Sequence, residues 1–325
     1  MAKTSNNIPL VLGAAVFGSE GVVSARITDK TIGQKLVDVF VKAGGKTIDT
    51  SNIYSDGTSQ PFLAQLDVKD AHIDTKIFPL QPGAHAPENL RGAVKASVEA
   101  LSPHKINVLY LHAPDRSVPF VDVAREINEL HKEGLIREFG LSNFFAWEVA
   151  EFYSIAEKNG WIRPTVYQGV YNALERQAEA ELLPCLKKFS IRFYGYSPLA
   201  ASILASKDLD QATKDGSRFD PNASAWIAQY YKGRYTGLVP AAQVLRDRAA
   251  KYGLSLPQIA FRWLQHHSHF DASKGDAIVI GATSVERLQQ TLDWNAEGPL
   301  PEEIVKLVDE VYAKNKGLLI HYSGV

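Results

Sequence analysis

The chain has 325 residues, 45% of them apolar, with 35 Lys and Arg against 36 Asp and Glu for a formal net charge of −1. That length allows a large buried core in one or two domains. The balanced charge gives no electrostatic reason to hold nucleic acid or an acidic membrane face. A lone Cys185 excludes an internal disulfide and a multi-cysteine metal site. The opening MAKTSNNIP carries no apolar signal segment, and the longest apolar stretch, IPLVLGAAVF, is of strand length and too short to span a bilayer. A cytosolic protein with neither membrane nor nucleic-acid partners is expected.

Short runs rich in β-branched residues alternate with longer stretches whose apolar residues recur at helical spacing. In chain order the runs are IPLVLGA (8–14), KTIDTS (46–51), HIDTKI (72–77), NVLYLHA (107–113), EFGLSN (138–143), TVYQGVYN (165–172), IRFYGYSP (191–198) and AIVIGATS (277–284). Between them, a helix is expected after Thr28 as N-cap, another over PENLRGAVKASVEAL with Pro87 in its first turn, and others over VDVAREINELHKEG, AWEVAEFYSIAEKNG and EAELLPCLKKF. Gly44, Gly134 and Gly160 close three of these stretches in the manner of C-caps. PEEIVKLVDEVYAKNKG reads as a last helix. The repeat consumes the whole chain, so residues 1–325 are expected to form one α/β domain, a single (β/α)8 (TIM) barrel with long loops at its C-terminal mouth. The segment 203–256, after the seventh strand, is too long for an ordinary connection and carries its own helical pattern.

In such a barrel reactive groups stand at the C-terminal strand ends, which draws weight to Asp49, Lys76, His112 and Asn143. Period-two alternation puts Thr47, Asp49 and Ser51 on one face, Asp74 with Lys76 on another, and Tyr110 with His112 on a third. If those faces point inward, an acid, an ammonium and an imidazole converge at one mouth, where the turn after the second strand can swing Tyr54. A phenol beside an ammonium is a candidate general acid, because the opposite charge lowers its pKa. Asp49 would hold Lys76, and His112 would donate to the same substrate oxygen. Each of these residues has a structural role as the competing reading. A Schiff-base role for Lys76 is a further alternative.

Gly281, Thr283 and Ser284 lie directly before a helix with Arg287 in its first turn, an arrangement suited to a phosphate monoester or to simple capping. No strand is followed by G-x-G-x-x-G and there is no P-loop, so a nucleotide would need another kind of site. His266, His267 and His269 lack companion ligands at metal-binding spacing, and no metal is expected. Cys185 reads as a small buried hydrophobe. Tyr194 and Tyr196 alternate on the seventh strand, where Tyr196 can offer a ring face to a planar ligand.

The ordered series IDTSNIY, DTKIFP, VLYLHAPD, GLSN, VYQGVYN, YGYSPLA and GATSVERLQQ resembles the aldo-keto reductases over nearly the whole chain. Within that family TVYQGVYNALERQAEAELLPCLKKFSIRFYGYSPLA and the later SRF and YYKGRY are most similar to the aflatoxin-aldehyde reductase branch. The resemblance implies NADPH-dependent reduction of an aldehyde or ketone, with Asp49, Tyr54, Lys76 and His112 as catalytic residues and Tyr54 as proton donor. It implies a cofactor site of Asp49, Ser142, Asn143, Gln168, Tyr196, Ser197, Leu199, Lys207, Arg218, Gly281, Ser284, Arg287 and Gln290. Arg287 beside Ser284 favours NADPH over NADH, since a 2′-phosphate calls for a cation. Tyr54, His112, Tyr231 and Arg234 are the implied substrate contacts, and a homodimer is implied by the branch. The alternative is an NADPH-binding regulatory subunit with little turnover. Two departures stand out. Asp74 occupies the place of the usual alanine two residues before Lys76 and can compete for the ammonium. The tail GLLIHYSGV lacks the branch's carboxylate-binding arginine, a charge that Arg234 could supply.

Overall fold

The computed structural model describes residues 7–205, 219 and 225–324. Eight parallel strands close into a barrel in sequence order: β1 (Leu10–Gly13), β2 (Thr47–Asp49), β3 (His72–Ile77), β4 (Ile106–Leu111), β5 (Ile136–Ser142), β6 (Pro164–Val170), β7 (Arg192–Tyr196) and β8 (Ala277–Gly281). Around them run α1 (Lys30–Lys42), α2 (Ser59–Leu63), α3 (Pro87–Leu101), α4 (Phe120–Lys132), α5 (Ala146–Asn159), α6 (Leu182–Lys188), α7 (Ala225–Tyr235), α8 (Val239–Ala249), α9 (Leu256–His266), α10 (Val285–Ala296) and α11 (Glu302–Asn315). The helices α7 and α8 belong to the long segment between β7 and α9. Among the described residues no helix is long and apolar enough to cross a membrane.

Local chemistry sets the element ends. The cap of α1 is Asp29 and not Thr28: its carboxylate accepts from Thr31 N at 2.6 Å and Ile32 N at 3.4 Å, and a charged acceptor at a helix start outcompetes a hydroxyl one residue earlier. Gly44, Gly134 and Gly160 all carry positive φ where α1, α4 and α5 end. The apolar stripes of these helices face the barrel. Leu36, Val37 and Phe40 of α1 and Leu90, Val94 and Leu101 of α3 are buried in the main core between strands and helices, each large side chain contributing about 1.5–3 kcal/mol.

Inside the barrel two small apolar clusters, Val11 with Ala277 and Val279 and Val108 with Tyr110 and Val166, fill the floor beneath the mouth. Gly140 on β5 makes room for the Tyr110 ring, since a Cβ there would stand 2.5 Å from it. The β3–β4 register slips by one residue between Ile73 and Thr75. Asp74 sits in that irregularity and accepts the Val108 N–H with Oδ1 at 3.2 Å, standing in for a main-chain acceptor.

Candidate active site

Strand alternation turns Thr75 outward, where its hydroxyl accepts from Gln60 of α2 at 2.7 Å, and so turns Lys76 into the barrel. Lys76 is wholly buried and its ammonium donates to Asp49 Oδ2 at 2.6 Å and to the Thr50 carbonyl at 2.7 Å, beside the Tyr54 phenol. Two of the three ammonium protons are thereby used, which leaves one for the phenol side. The second oxygen of Asp49 accepts from Gln168 Nε2 at 2.9 Å. A buried ion pair of this kind is tolerable only because its remaining donors and acceptors are satisfied.

Tyr54 reaches the same point from the turn after β2. Ser55 and Asp56 (φ 49° and 53°) and Gly57 (φ 84°) are all left-handed, which reverses the chain just past the tyrosine and aims its ring back over the mouth. Lys76 Nζ lies 4.6 Å from the Tyr54 ring centroid. The ring is partly open to solvent yet stands in a deep recess of protein atoms. Burial raises its pKa more than Lys76 lowers it, with Asp49 adding to the rise. The net direction is thus the reverse of that expected from the ammonium alone, and the phenol holds its proton at neutral pH. For Lys76, burial works against the charge, but Asp49 and Tyr54 outweigh it and keep the ammonium above the usual lysine range.

His112, at the end of β4, packs edge-on to Tyr54 with ring centroids 5.8 Å apart and edge-on to Phe78 at 5.3 Å. Burial, then Lys76, then His85 push its pKa well below the histidine range, so the imidazole is neutral. Asp74 does not compete for Lys76. Its Oδ1 is held by Asn107 Nδ2 at 2.9 Å and by Val108 N, its Oδ2 has no partner, and burial pushes its pKa up to about 7.

Around this centre, Asn143 (φ 62°) donates to the His112 carbonyl at 2.9 Å and to Ser142 Oγ at 3.1 Å, and accepts from the Tyr196 hydroxyl at 2.9 Å. Ser142 Oγ, used there as acceptor, still has its O–H to give. Ser197, Ala200, Ala201 and Ser202 carry positive φ in the loop after β7, which also holds Leu199. Such sparsely populated conformations concentrate at ligand clamps. Across the mouth, Gly281 ends β8 with open space where a side chain would stand. Ser284 caps α10 through the Arg287 N–H at 3.2 Å, and Arg287 and Gln290 are exposed. Lys207 and Arg218 lie outside the described residues.

These features fit a nicotinamide dinucleotide: a half-buried Tyr196 ring fixed by its hydroxyl, a free hydroxyl donor at Ser142, a left-handed loop, and a cation on an uncovered helix start. Tyr231 of α7 stands near enough to Tyr54 to interact with it electrostatically. Arg234 is 1% exposed and donates to Glu175 Oε1 at 2.5 Å, so its charge is already paired, while its Nη2 lacks a partner. That pairing could not be read from the YYKGRY motif. His266 and His267 serve main-chain groups, bonding the Glu297 carbonyl at 2.8 Å and the Leu300 N–H at 3.0 Å. Burial raises the Cys185 thiol, whose Sγ donates to the Ala146 carbonyl at 3.3 Å.

The aldo/keto reductase family model matches residues 9–313. The chain belongs to the aldo/keto reductase family. As a member of it, the protein is an oxidoreductase, from a family whose enzymes generally use nicotinamide cofactors. Human aldo-keto reductase family 7 member A3 is 37% identical over 321 residues, 93% of each chain. Mouse aflatoxin B1 aldehyde reductase member 2 is 36% identical over 313 residues, covering 92% of this chain and 84% of its own. A solved glycerol dehydrogenase from Gluconobacter oxydans shares the barrel with a TM-score of 0.67 at 21% identity, over 96% of both chains. Among aldo/keto reductases the resemblance to the aflatoxin-aldehyde branch thus extends through nearly the whole barrel.

Proposed function

We propose that this aldo/keto reductase reduces an aldehyde or ketone to the alcohol with NADPH, Tyr54 protonating the carbonyl oxygen. The observation that carries the reading is the buried junction of Asp49, Lys76 and Tyr54 beside a neutral His112. When bound, NADPH supplies the hydride. Ser142, Asn143 and Gln168 would hold its carboxamide, with the Tyr196 ring against the nicotinamide and Asp49 close by. Ser197, Leu199 and Lys207 would lie along the pyrophosphate, and Arg218, Gly281, Ser284, Arg287 and Gln290 along the adenosine end.

The chemistry of the protein's own groups follows from their arrangement. Tyr54 holds a proton at neutral pH and gives it up as negative charge develops on the substrate oxygen. Lys76, held by Asp49 beside the phenol with a proton to spare, would stabilise the phenolate left behind. His112, being neutral, can donate one hydrogen bond to the carbonyl oxygen without adding charge. Tyr231 would stand on the substrate side, near Tyr54. Since Arg234 is already paired with Glu175, a substrate carboxylate would have to share that guanidinium through Nη2.

The test is NADPH consumption against a panel of small aldehydes, dicarbonyls, semialdehydes and bulky aromatic ketones. Oxidation of NADPH by at least one carbonyl class is expected. Tight NADPH binding with no oxidation across the panel would contradict the proposal and favour a regulatory subunit.

A further inference from the structure

Ser51 follows Asp49 by two residues, shares its inward face, and is fully buried. Its one hydroxyl proton has three acceptors within reach: His112 Nδ1 at 3.1 Å, the Lys76 carbonyl at 3.2 Å and Asn52 Oδ1 at 3.4 Å. The last two are already supplied, the Lys76 carbonyl by Asn52 N at 3.0 Å and Asn52 Oδ1 by Phe78 N at 3.2 Å. On its acceptor side, the Ser51 oxygen is approached by Ile53 N at 3.5 Å. His112 Nδ1 has no other hydrogen-bond partner among the described residues. What Ser51 has left to offer is its proton, and what Nδ1 lacks is a donor.

A neutral imidazole carries one proton, on Nδ1 or on Nε2, and the hydrogen bond at one nitrogen decides what the other can do. With the proton on Nδ1, the outward nitrogen would present a lone pair and repel a carbonyl oxygen. With Nδ1 accepting from Ser51, Nε2 carries the proton and can donate it in a hydrogen bond.

We infer that Ser51 is a positioning residue that donates to His112 Nδ1 and so fixes the Nε2–H tautomer, making His112 a donor toward a substrate carbonyl. The functional half of this inference rests on the carbonyl-reduction reading of the site. The tautomer itself can be read without any turnover. Ser51 is fully buried and would act through His112.

The experiment is long-range proton–nitrogen NMR on protein labelled with ¹⁵N-histidine, at neutral pH, with the His112 signals assigned by their loss in His112→Asn. The expected result for the parent protein is a proton-bearing Nε2 and a bare, hydrogen-bond-accepting Nδ1. In Ser51→Ala the single tautomer should give way to a mixture, and Ser51→Thr, which keeps the hydroxyl, should restore it. Alongside, kcat/KM of Ser51→Ala should fall about tenfold, the size of one net hydrogen bond, with NADPH affinity unchanged. A parent protein carrying the proton on Nδ1, or a Ser51→Ala spectrum identical to the parent, would overturn the inference whatever the activity. The expected tautomer in a protein that reduces no carbonyl would uphold the Ser51 contact and overturn the proposed reaction instead.

Discussion

Replacing Asp74 with Asn should make the protein more stable above neutral pH, and the structure sets the size of the gain. The carboxyl is buried at the β3–β4 irregularity, with Oδ1 accepting from Asn107 and Val108 and Oδ2 unpartnered. Burial raises its pKa from 3.8 to about 7, the two hydrogen bonds opposing and Asp49 adding to the rise. At pH below 3.8 the group is protonated in both native and unfolded chains. As pH climbs toward 7, the unfolded chain releases its proton and the native protein retains it, so native stability falls through that interval and levels off above it. Each pH unit of that interval costs about 1.4 kcal/mol, so the whole loss is on the order of 4 kcal/mol. Asn keeps the acceptor at Oδ1 and removes the titration. Urea unfolding at a series of pH values is the assay, read as a midpoint change at constant m. The variant should match the parent near pH 4, exceed it increasingly up to about pH 7, and keep a level advantage from there to about pH 8. Parallel curves for the two proteins, or a variant less stable at pH 8, would refute the reasoning.

Lys76→Met should lower stability by about 3–5 kcal/mol, because Asp49 is left buried with Gln168 as its remaining side-chain hydrogen-bond partner among the described residues; a urea midpoint unchanged from the parent would argue that the pair is not buried as described. Arg287→Ala should weaken NADPH binding about tenfold while leaving NADH binding unaltered, as the loss of one exposed charge-assisted contact to a 2′-phosphate requires. Fluorescence titration with both cofactors checks this, and equal weakening would remove the phosphate role.

The architecture was legible because alternation carries it: each of the eight strand runs overlaps an observed strand, although β4 (Ile106–Leu111), β5 (Ile136–Ser142) and β6 (Pro164–Val170) begin just before their runs, and PENLRGAVKASVEAL is α3 from end to end. The inward faces were also readable. Period two alone places Asp49, Lys76 and His112 toward one interior, and the barrel brings them and Tyr54 together. Alternation says which way a side chain points, though, and nothing about how deep it lies or what it meets. Ser51 and His112 are 61 residues apart, and Arg234 and Glu175 are 59 apart, so neither contact leaves a local signal. Depth likewise decided Tyr54: the ammonium was visible in the motif, but the burial that reverses its effect was not. Asp74 escaped its expected rivalry for Lys76 through a register slip that no propensity announces. At α1 the competition was between neighbours, Thr28 and Asp29, and charge settled it.

The claim on which the account rests is that the Tyr54 phenol delivers the proton. Tyr54→Phe keeps the ring against His112 and removes only the hydroxyl, so NADPH should bind the variant as it binds the parent. With a carbonyl that the parent accepts, turnover of the variant should fall by about 10²–10⁴-fold. A phenylalanine variant that keeps a near-normal kcat on that substrate would contradict the assignment outright.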